Sequence, residues 1–103
     1  MKVRFRAKAL DDIASIFLFR SRRHSPEIAA RVEAAIFAST KLLGRHPELG
    51  TRTDHKAEVR RWPMTEYDYT VFYLIDKGEL DVLRVLDGKL VQNLNWVQGL
   101  GAR

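Results

Sequence analysis

The stretch that decides the fold is VRRWPMTEYDYTVFYLIDKGELDVLRVLDGKL, residues 59–90. Its central run alternates with a period of two, so that Phe72 and Leu74 fall on the face opposite to a second apolar set. That second set consists of Tyr67, Tyr69, Val71, Tyr73 and Ile75. Both faces are therefore largely apolar, which is typical of a strand at the centre of a sheet.

A turn and another strand follow this run. Asp76-Lys77-Gly78-Glu79 places a glycine where a tight hairpin needs a positive φ. Beyond the turn the apolar residues again alternate between two faces. They are Leu80, Val82 and Leu86 on one face and Leu83 and Val85 on the other. An earlier strand is expected over Val59, Trp62 and Met64, ended by Pro63 and the Thr65-Glu66 turn.

The N-terminal residues predict an edge strand followed by an amphipathic helix. Val3 and Phe5 alternate with basic residues, which discourage wrong pairing at a sheet edge. From Ala7 the apolar period becomes helical. The core stripe is expected to be Leu10, Ile13, Ala14 and Phe17, with Ile16, Leu18 and Phe19 off it. A helix apolar on several sides is either sandwiched or faces a partner, and the favoured interpretation is sandwiching between the sheet and a second helix.

A second helix begins at Ser25-Pro26-Glu27, which combines an N-cap serine, a proline in the first turn and an acid there. Its expected core face is Ile28, Val32, Ala35, Ile36, Ser39 and Leu43. Gly44 is the expected C′ residue, with Pro47 blocking continuation. The short loop between the helices predicts an antiparallel helical hairpin. Residues 48–56 are polar and are expected to form a loop.

The composition indicates one domain over residues 1–103, with residues 91–103 as a partly ordered C-terminal tail. The chain has no cysteine, no signal-peptide pattern and no apolar run long enough to cross a membrane, so a cytoplasmic protein is expected. The net charge is +5 and the pI about 9.9. This charge is either ordinary surface charge or a sign of an acidic partner, a nucleic acid or an acidic protein segment. Basic residues cluster at Arg20-Ser21-Arg22-Arg23-His24 and at Arg60-Arg61.

Sequence motifs for common catalytic chemistry are missing. There is no nucleophile elbow, zinc-protease motif, glycine-rich phosphate loop or cysteine nucleophile. His46 and His55 lie in polar segments and are poor metal ligands, so no cofactor and no metal is expected. Asp11 and Asp12 point about 100° apart on a helix and do not form a catalytic pair. They are interpreted as first-turn residues that complement the helix dipole.

The order and spacing of several short pieces resemble the RelE/ParE superfamily of bacterial toxins. The pieces are Val59-Arg60, Tyr67-Asp68-Tyr69, Phe72-Tyr73 and Leu83-Arg84-Val85-Leu86-Asp87-Gly88. With the Ser25-Pro26 helix start, the resemblance covers roughly residues 1–90. It agrees with the α+β fold that the pattern predicts: an N-terminal strand and an antiparallel helical hairpin packed on a small curved antiparallel sheet, in the order β-α-α-β-β-β.

The superfamily has two functional branches, and the resemblance is closer to the ParE-like one. RelE-like members resemble ribosome-dependent mRNA endonucleases that use basic side chains and a C-terminal Tyr or His. Here Thr70 and Leu90 occupy two positions at which that branch has basic residues, and no Tyr follows Tyr73. ParE-like members resemble inhibitors that bind DNA gyrase and are neutralised by an antitoxin. One departure from that branch is Asp87, where many members have a histidine.

The expected function is therefore a ParE-like toxin without catalytic residues, held by a ParD-like or other cognate antitoxin in a hetero-oligomer. A RelE-like endonuclease or a non-toxic relic of the same fold is the alternative. The predicted antitoxin-binding residues are Arg60, Arg61, Trp62, Tyr69, Phe72 and Phe19. For the first three, the alternative is that the tryptophan belongs to the core and the arginines are solvated. Arg84 and Lys89 are predicted to bind phosphate or the target, with cross-strand pairing as the alternative for Arg84. No membrane contact and no sequence-specific DNA binding are expected.

A further expectation concerns the free chain. The helical hairpin can cover only one face of a small sheet, so one apolar set is expected to stay open. The sets concerned are Phe72 and Leu74 against Tyr69, Val71 and Tyr73. Such a surface predicts poor solubility without antitoxin, or self-association into a homodimer.

Overall fold

The computed structural model describes residues 1–53 and 58–88. These form two helices and one sheet of five strands. The elements are β1 (Val3–Phe5), α1 (Ala7–Arg23), α2 (Pro26–Arg45), β2 (Thr51–Arg52), β3 (Arg60–Pro63), β4 (Tyr69–Asp76) and β5 (Glu79–Asp87). The predicted α+β architecture is confirmed, whereas the predicted tail lies outside the described residues. No helix among the described residues is long and apolar enough to cross a membrane.

The sheet is mixed, with the strand order β1-β5-β4-β3-β2. All neighbouring strands are antiparallel except β1 and β5, which pair in parallel. The prediction of an antiparallel sheet therefore does not hold for β1. The strands from β2 to β5 alternate in direction, so β5 runs opposite to β2 and in the same direction as β1. The predicted loop over residues 48–56 also contains the short edge strand β2.

A buried carboxylate fastens β1 to the sheet. Asp81 is 1% exposed and lies opposite Arg4 in the parallel pair. Arg4 Nε donates to Asp81 Oδ1 at 3.1 Å, and Arg6 Nη2 donates to Asp81 Oδ2 at 3.2 Å. The basic residues that alternate along the N-terminal strand thus compensate a charge that would otherwise be costly to bury.

The start of α2 is formed as the sequence predicts. Ser25 is the N-cap, and its side chain accepts a hydrogen bond from Ile28 N at 3.1 Å. Gly44, however, lies inside α2 and not beyond its end. A Cβ on Gly44 would lie 2.8 Å from Val3 Cγ2, so the missing side chain lets α2 approach the N-terminal strand.

The buried side of α1 is rotated from its predicted position. Ala9 and Ile13 are buried and Ile16 packs against them, whereas Leu10, assigned to the core stripe, is 49% exposed. Apolar residues surround most of this helix, so their spacing alone did not select one side. Leu18 and Phe19 are also more than half exposed, and the predicted sandwiching is therefore wrong for this part of α1.

The central hairpin turns through Lys77 and Gly78, both at positive φ, and the positive φ predicted for the glycine is confirmed. Opposite Phe72 and Tyr73 the pairing register shifts in β5. Val82 and Val85 therefore both join the core beneath the helices, and Leu83 joins the cluster on the other face. The predicted strict alternation in β5 is wrong from this bulge onward, because an extra residue moves later side chains to the opposite face.

The sheet face away from the helices is closed in the isolated chain. Phe72 and Leu74 are fully buried in a cluster with Val59 and Leu83. The expectation that one apolar set remains open is thus wrong for the sheet. Large exposed apolar side chains lie on α1 instead, where Phe19 borders a groove. A partner is therefore expected at this helix and not on the sheet.

Tyr73 in β4 anchors the chain that leaves α2. Its hydroxyl donates to Pro47 O at 2.6 Å and accepts from Gly50 N at 2.8 Å. Burial raises the pKa of Tyr73 above its ordinary 10.0. The neutral phenol is therefore part of the folded core.

Tyr73→Phe is expected to lower the free energy of unfolding by about 1–3 kcal/mol, because Gly50 N–H and Pro47 C=O lose a buried partner. The raised pKa means that wild-type stability is intact below about pH 10 and falls above it, where the unfolded phenol ionises first. Urea unfolding between pH 8 and 11 measures both effects. Tyr67→Phe is the matched control, and equal losses in the two variants would contradict the role of Tyr73.

Candidate partner-binding site

A groove of about 290 Å³ runs between α1 and the C-terminal half of β5. One wall is a flank of α1, whose residues recur at helical spacing. The other wall is the run of β5 that ends at Asp87. The lining residues are Asp12, Ser15, Ile16, Phe19, Tyr69, Arg84, Val85, Leu86 and Asp87. The groove is thus built by a helix flank and a strand edge that are far apart in the sequence.

The edge of β5 is exposed to the groove because β1 is short. β1 pairs only with the segment of β5 from Leu80 to Val82. Past that point the carboxylate of Asp12 replaces the strand and accepts a hydrogen bond from Val85 N at 3.0 Å. The side chain of α1 thereby satisfies a backbone donor that would otherwise face the groove unpaired.

Asp12 also holds Arg84 in place. Arg84 Nε donates to Asp12 Oδ2 at 2.7 Å and Arg84 Nη2 donates to Asp12 Oδ1 at 2.9 Å. This bidentate contact raises the pKa of Arg84. The interpretation of Asp11 and Asp12 as first-turn residues is wrong, since α1 begins at Ala7 and has no acid in its first turn. Asp12 instead joins α1 to β5.

Tyrosines fix a second arginine at one end of the groove. Arg20 Nε donates to Tyr69 Oη at 3.0 Å. The Arg20 guanidinium also lies 5.4 Å from the centroid of the Tyr69 ring and 5.8 Å from that of Tyr67. These contacts hold the guanidinium on the aromatic surface and restrict its rotamers.

Phe19 separates the groove from a second depression of about 370 Å³. Leu18, Phe19, Arg22 and Arg23 line it together with Ser15. Phe19 is 54% exposed, and the Arg23 guanidinium lies 5.8 Å from its ring centroid. An aromatic side chain that borders two concave surfaces is a suitable anchor for a protein partner.

The residues predicted from the sequence fall in separate places. Phe19, Tyr69 and Arg84 come together at the groove. Phe72 is buried on the opposite sheet face, and Lys89 lies outside the described residues.

The three predicted residues of β3 do not line the groove. Arg60 Nη1 donates to Gly50 O at 2.6 Å, so its guanidinium supports the loop after α2. Trp62 is half-buried against the core beneath the helices, and Arg61 is exposed. A role for this strand in antitoxin binding stays a prediction.

Sequence reasoning did not assign Asp12, Arg20 or Ile16 to the site. The spacing of Asp12, Ile16 and Phe19 at i, i+4 and i+7 places them on one helix flank and could have grouped them. No local signal links Asp12 to Arg84, which is 72 residues away. Within residues 1–53 and 58–88, no group of three or more His, Cys, Asp or Glu is arranged to hold a metal ion.

Comparison with known proteins identifies the family. The family model described as the ParE toxin of the type II toxin–antitoxin system parDE matches residues 3–90. The chain therefore belongs to the ParE toxin family. A solved structure of the chromosomal ParDE toxin–antitoxin system from P. aeruginosa has a similar fold, with a TM-score of 0.76 and 19% sequence identity. That match covers 84% of this chain and 95% of the other. No curated protein matches the sequence.

Proposed function

We propose that this protein is a toxin that inhibits DNA gyrase by binding and is neutralised by a cognate antitoxin in the cytoplasm. The observation that carries the antitoxin part is the groove between α1 and β5, with Phe19 half exposed at its rim. A concave surface with an exposed aromatic residue and arginines beside it has the composition of a protein-binding site. Membership of a toxin–antitoxin family supports an antitoxin as its occupant.

The groove suits a partner segment that carries both apolar and acidic side chains. Ile16, Phe19 and Leu86 supply apolar contacts, and Arg20 lies at the Tyr69 end. Asp12 accepts a hydrogen bond from Val85 N–H at the edge of β5, so this backbone donor is already paired. A partner that enters there therefore contacts side chains at this position and not the backbone donor.

The described residues favour binding over RNA cleavage. Thr70, at the position where the nuclease branch has an arginine, is 5% exposed and cannot reach a substrate as placed. Arg84, predicted as a phosphate-binding residue, is held by both carboxylate oxygens of Asp12. Cleavage of RNA also needs a group that moves the 2′-hydroxyl proton, and the sequence has no Tyr after Tyr73 and no His after His55.

Expression of the chain without its antitoxin is expected to stop growth with a DNA-damage response and filamentation. The purified protein is expected to inhibit supercoiling by gyrase, because a bound inhibitor blocks the enzyme cycle without chemistry of its own. The measurement is a supercoiling assay with and without the product of the neighbouring reading frame, which should restore activity. Cleavage of mRNA on translating ribosomes with gyrase unaffected would contradict the proposal.

A further inference from the structure

The C-terminal end of α1 carries a basic surface that adjoins the groove at Phe19. Arg22 and Arg23 are exposed and line the depression that also contains Leu18 and Phe19. Ser15 completes the lining, so no carboxylate is present among the described residues of this depression. Neither arginine forms an ion pair with a carboxylate in the described part of the chain.

The helix geometry places these cations on both sides of an aromatic ring. Arg22 and Arg23 follow Phe19 at i+3 and i+4, so they lie one turn beyond it on either flank. The Arg23 guanidinium reaches back over the Phe19 ring at 5.8 Å. Arg20 stands on the groove side, held by Tyr69 Oη at 3.0 Å. The surface therefore presents guanidinium groups around one exposed phenyl ring.

The partial negative charge of a helix C-terminus lets arginines gather there. The helix charge does not explain why the apolar side chains of Leu18 and Phe19 beside these arginines are 53% and 54% exposed. Guanidinium forks match phosphate oxygens, and an exposed phenyl ring beside them offers apolar contact to the sugars between successive phosphates. The net charge of +5 attracts a polyanion to the chain, and Arg20, Arg22 and Arg23 place positive charge in the last turn of α1.

We infer that this surface, formed by Phe19, Arg22 and Arg23 with Arg20 beside them, contacts the DNA backbone in the complex with the target. The inference rests on the proposed function, because an enzyme that holds DNA brings phosphates next to a protein bound on it. The contact is independent of base sequence, since phosphates carry no sequence information. Phe19 of this surface also lines the groove, so an antitoxin in the groove covers part of the surface.

The test is the salt dependence of DNA binding by the full chain without antitoxin. A fluorescein-labelled duplex of arbitrary sequence is titrated at several salt concentrations, and log K is plotted against log salt. Each phosphate contact in B-DNA contributes about 0.9 to the slope. The double variant Arg22→Gln/Arg23→Gln is expected to make the slope shallower by about 2, with unchanged thermal unfolding because both side chains are exposed.

Lys41→Gln/Arg45→Gln is the matched control. Both residues are exposed toward the C-terminal end of α2, and each double variant lowers the net charge from +5 to +3. The control is expected to keep the wild-type slope. Equal slopes for the two double variants, or no DNA binding by the wild type, would overturn the inference. Polyglutamate serves as a second probe, and loss of its binding with DNA binding unchanged would show an acidic protein ligand and overturn the inference as well.

Parallel supercoiling assays separate this inference from the proposed function. If the wild type inhibits gyrase but the arginine variant keeps the full salt slope, the DNA contact is wrong and the gyrase proposal stands. If the arginines set the salt slope but the wild type does not inhibit gyrase, the DNA contact stands and the proposed target is wrong.

Discussion

Phe19→Ala is expected to weaken antitoxin binding by more than about 2 kcal/mol, or roughly 30-fold in Kd. Phe19 borders both concave surfaces of α1 and is 54% exposed in the free chain. Its ring can therefore become buried only when a partner covers it, and truncation removes that gain from the complex. The measurement is isothermal titration of the purified chain with the product of the neighbouring reading frame.

Leu10→Ala is the control for this titration. Leu10 is 49% exposed on the same helix, but it lines neither the groove nor the second depression. Its replacement is expected to leave the Kd nearly unchanged, and equal losses for both variants would contradict the assignment of the groove.

Arg61→Ala in the same titration tests the predicted role of β3. Arg60→Ala is a less direct probe, because Arg60 also supports the loop at Gly50.

Asp12→Ala is expected to lower the free energy of unfolding by about 3 kcal/mol. The substitution leaves the Arg84 guanidinium without its bidentate partner and Val85 N–H without an acceptor. The Arg84 and Asp12 side chains are only 23% and 14% exposed, so water replaces these bonds poorly. For a domain of this size the midpoint of thermal unfolding should fall by roughly 10–20 °C.

The neighbouring carboxylate provides the comparison. Asp11 is exposed on the same turn of α1, and Asp11→Ala removes the same charge and the same atoms. Its unfolding midpoint is expected to stay close to that of the wild type. Asp12→Asn should fall between the two, since an amide oxygen can still accept from Val85 N–H while the ion pair is lost. A small loss for Asp12→Ala would mean that the edge of β5 is held by other contacts.

Much of the local structure was predictable from neighbouring residues. Alternation placed Phe72 and Leu74 opposite Tyr69, Val71 and Tyr73, and the structure keeps these two sets on separate faces. The serine before Pro26 predicted the start of α2, and the glycine of the central turn predicted its positive φ. Each of these features depends on residues within a few positions of one another.

The candidate site was predicted only in part. Phe19 and Tyr69 were assigned to antitoxin binding and Arg84 to phosphate or target binding, and all three lie at the groove. Phe72 was assigned to the same surface but lies on the other side of the sheet. Residue type alone points to aromatic and arginine side chains as binding residues, but it does not indicate which of them share a sheet face or a helix flank.

The sequence by itself determined the order of the elements apart from the edge strand β2, the two faces of β4, the helix start at Ser25 and the family. Those properties follow from period, turn chemistry and capping, which act over short separations along the chain. The tertiary structure alone decided the rotation of α1, the bulge that redirects β5 and the groove between them. These depend on which of several apolar flanks packs and on contacts such as Asp12 with Arg84, 72 residues apart, and Arg20 with Tyr69, 49 residues apart.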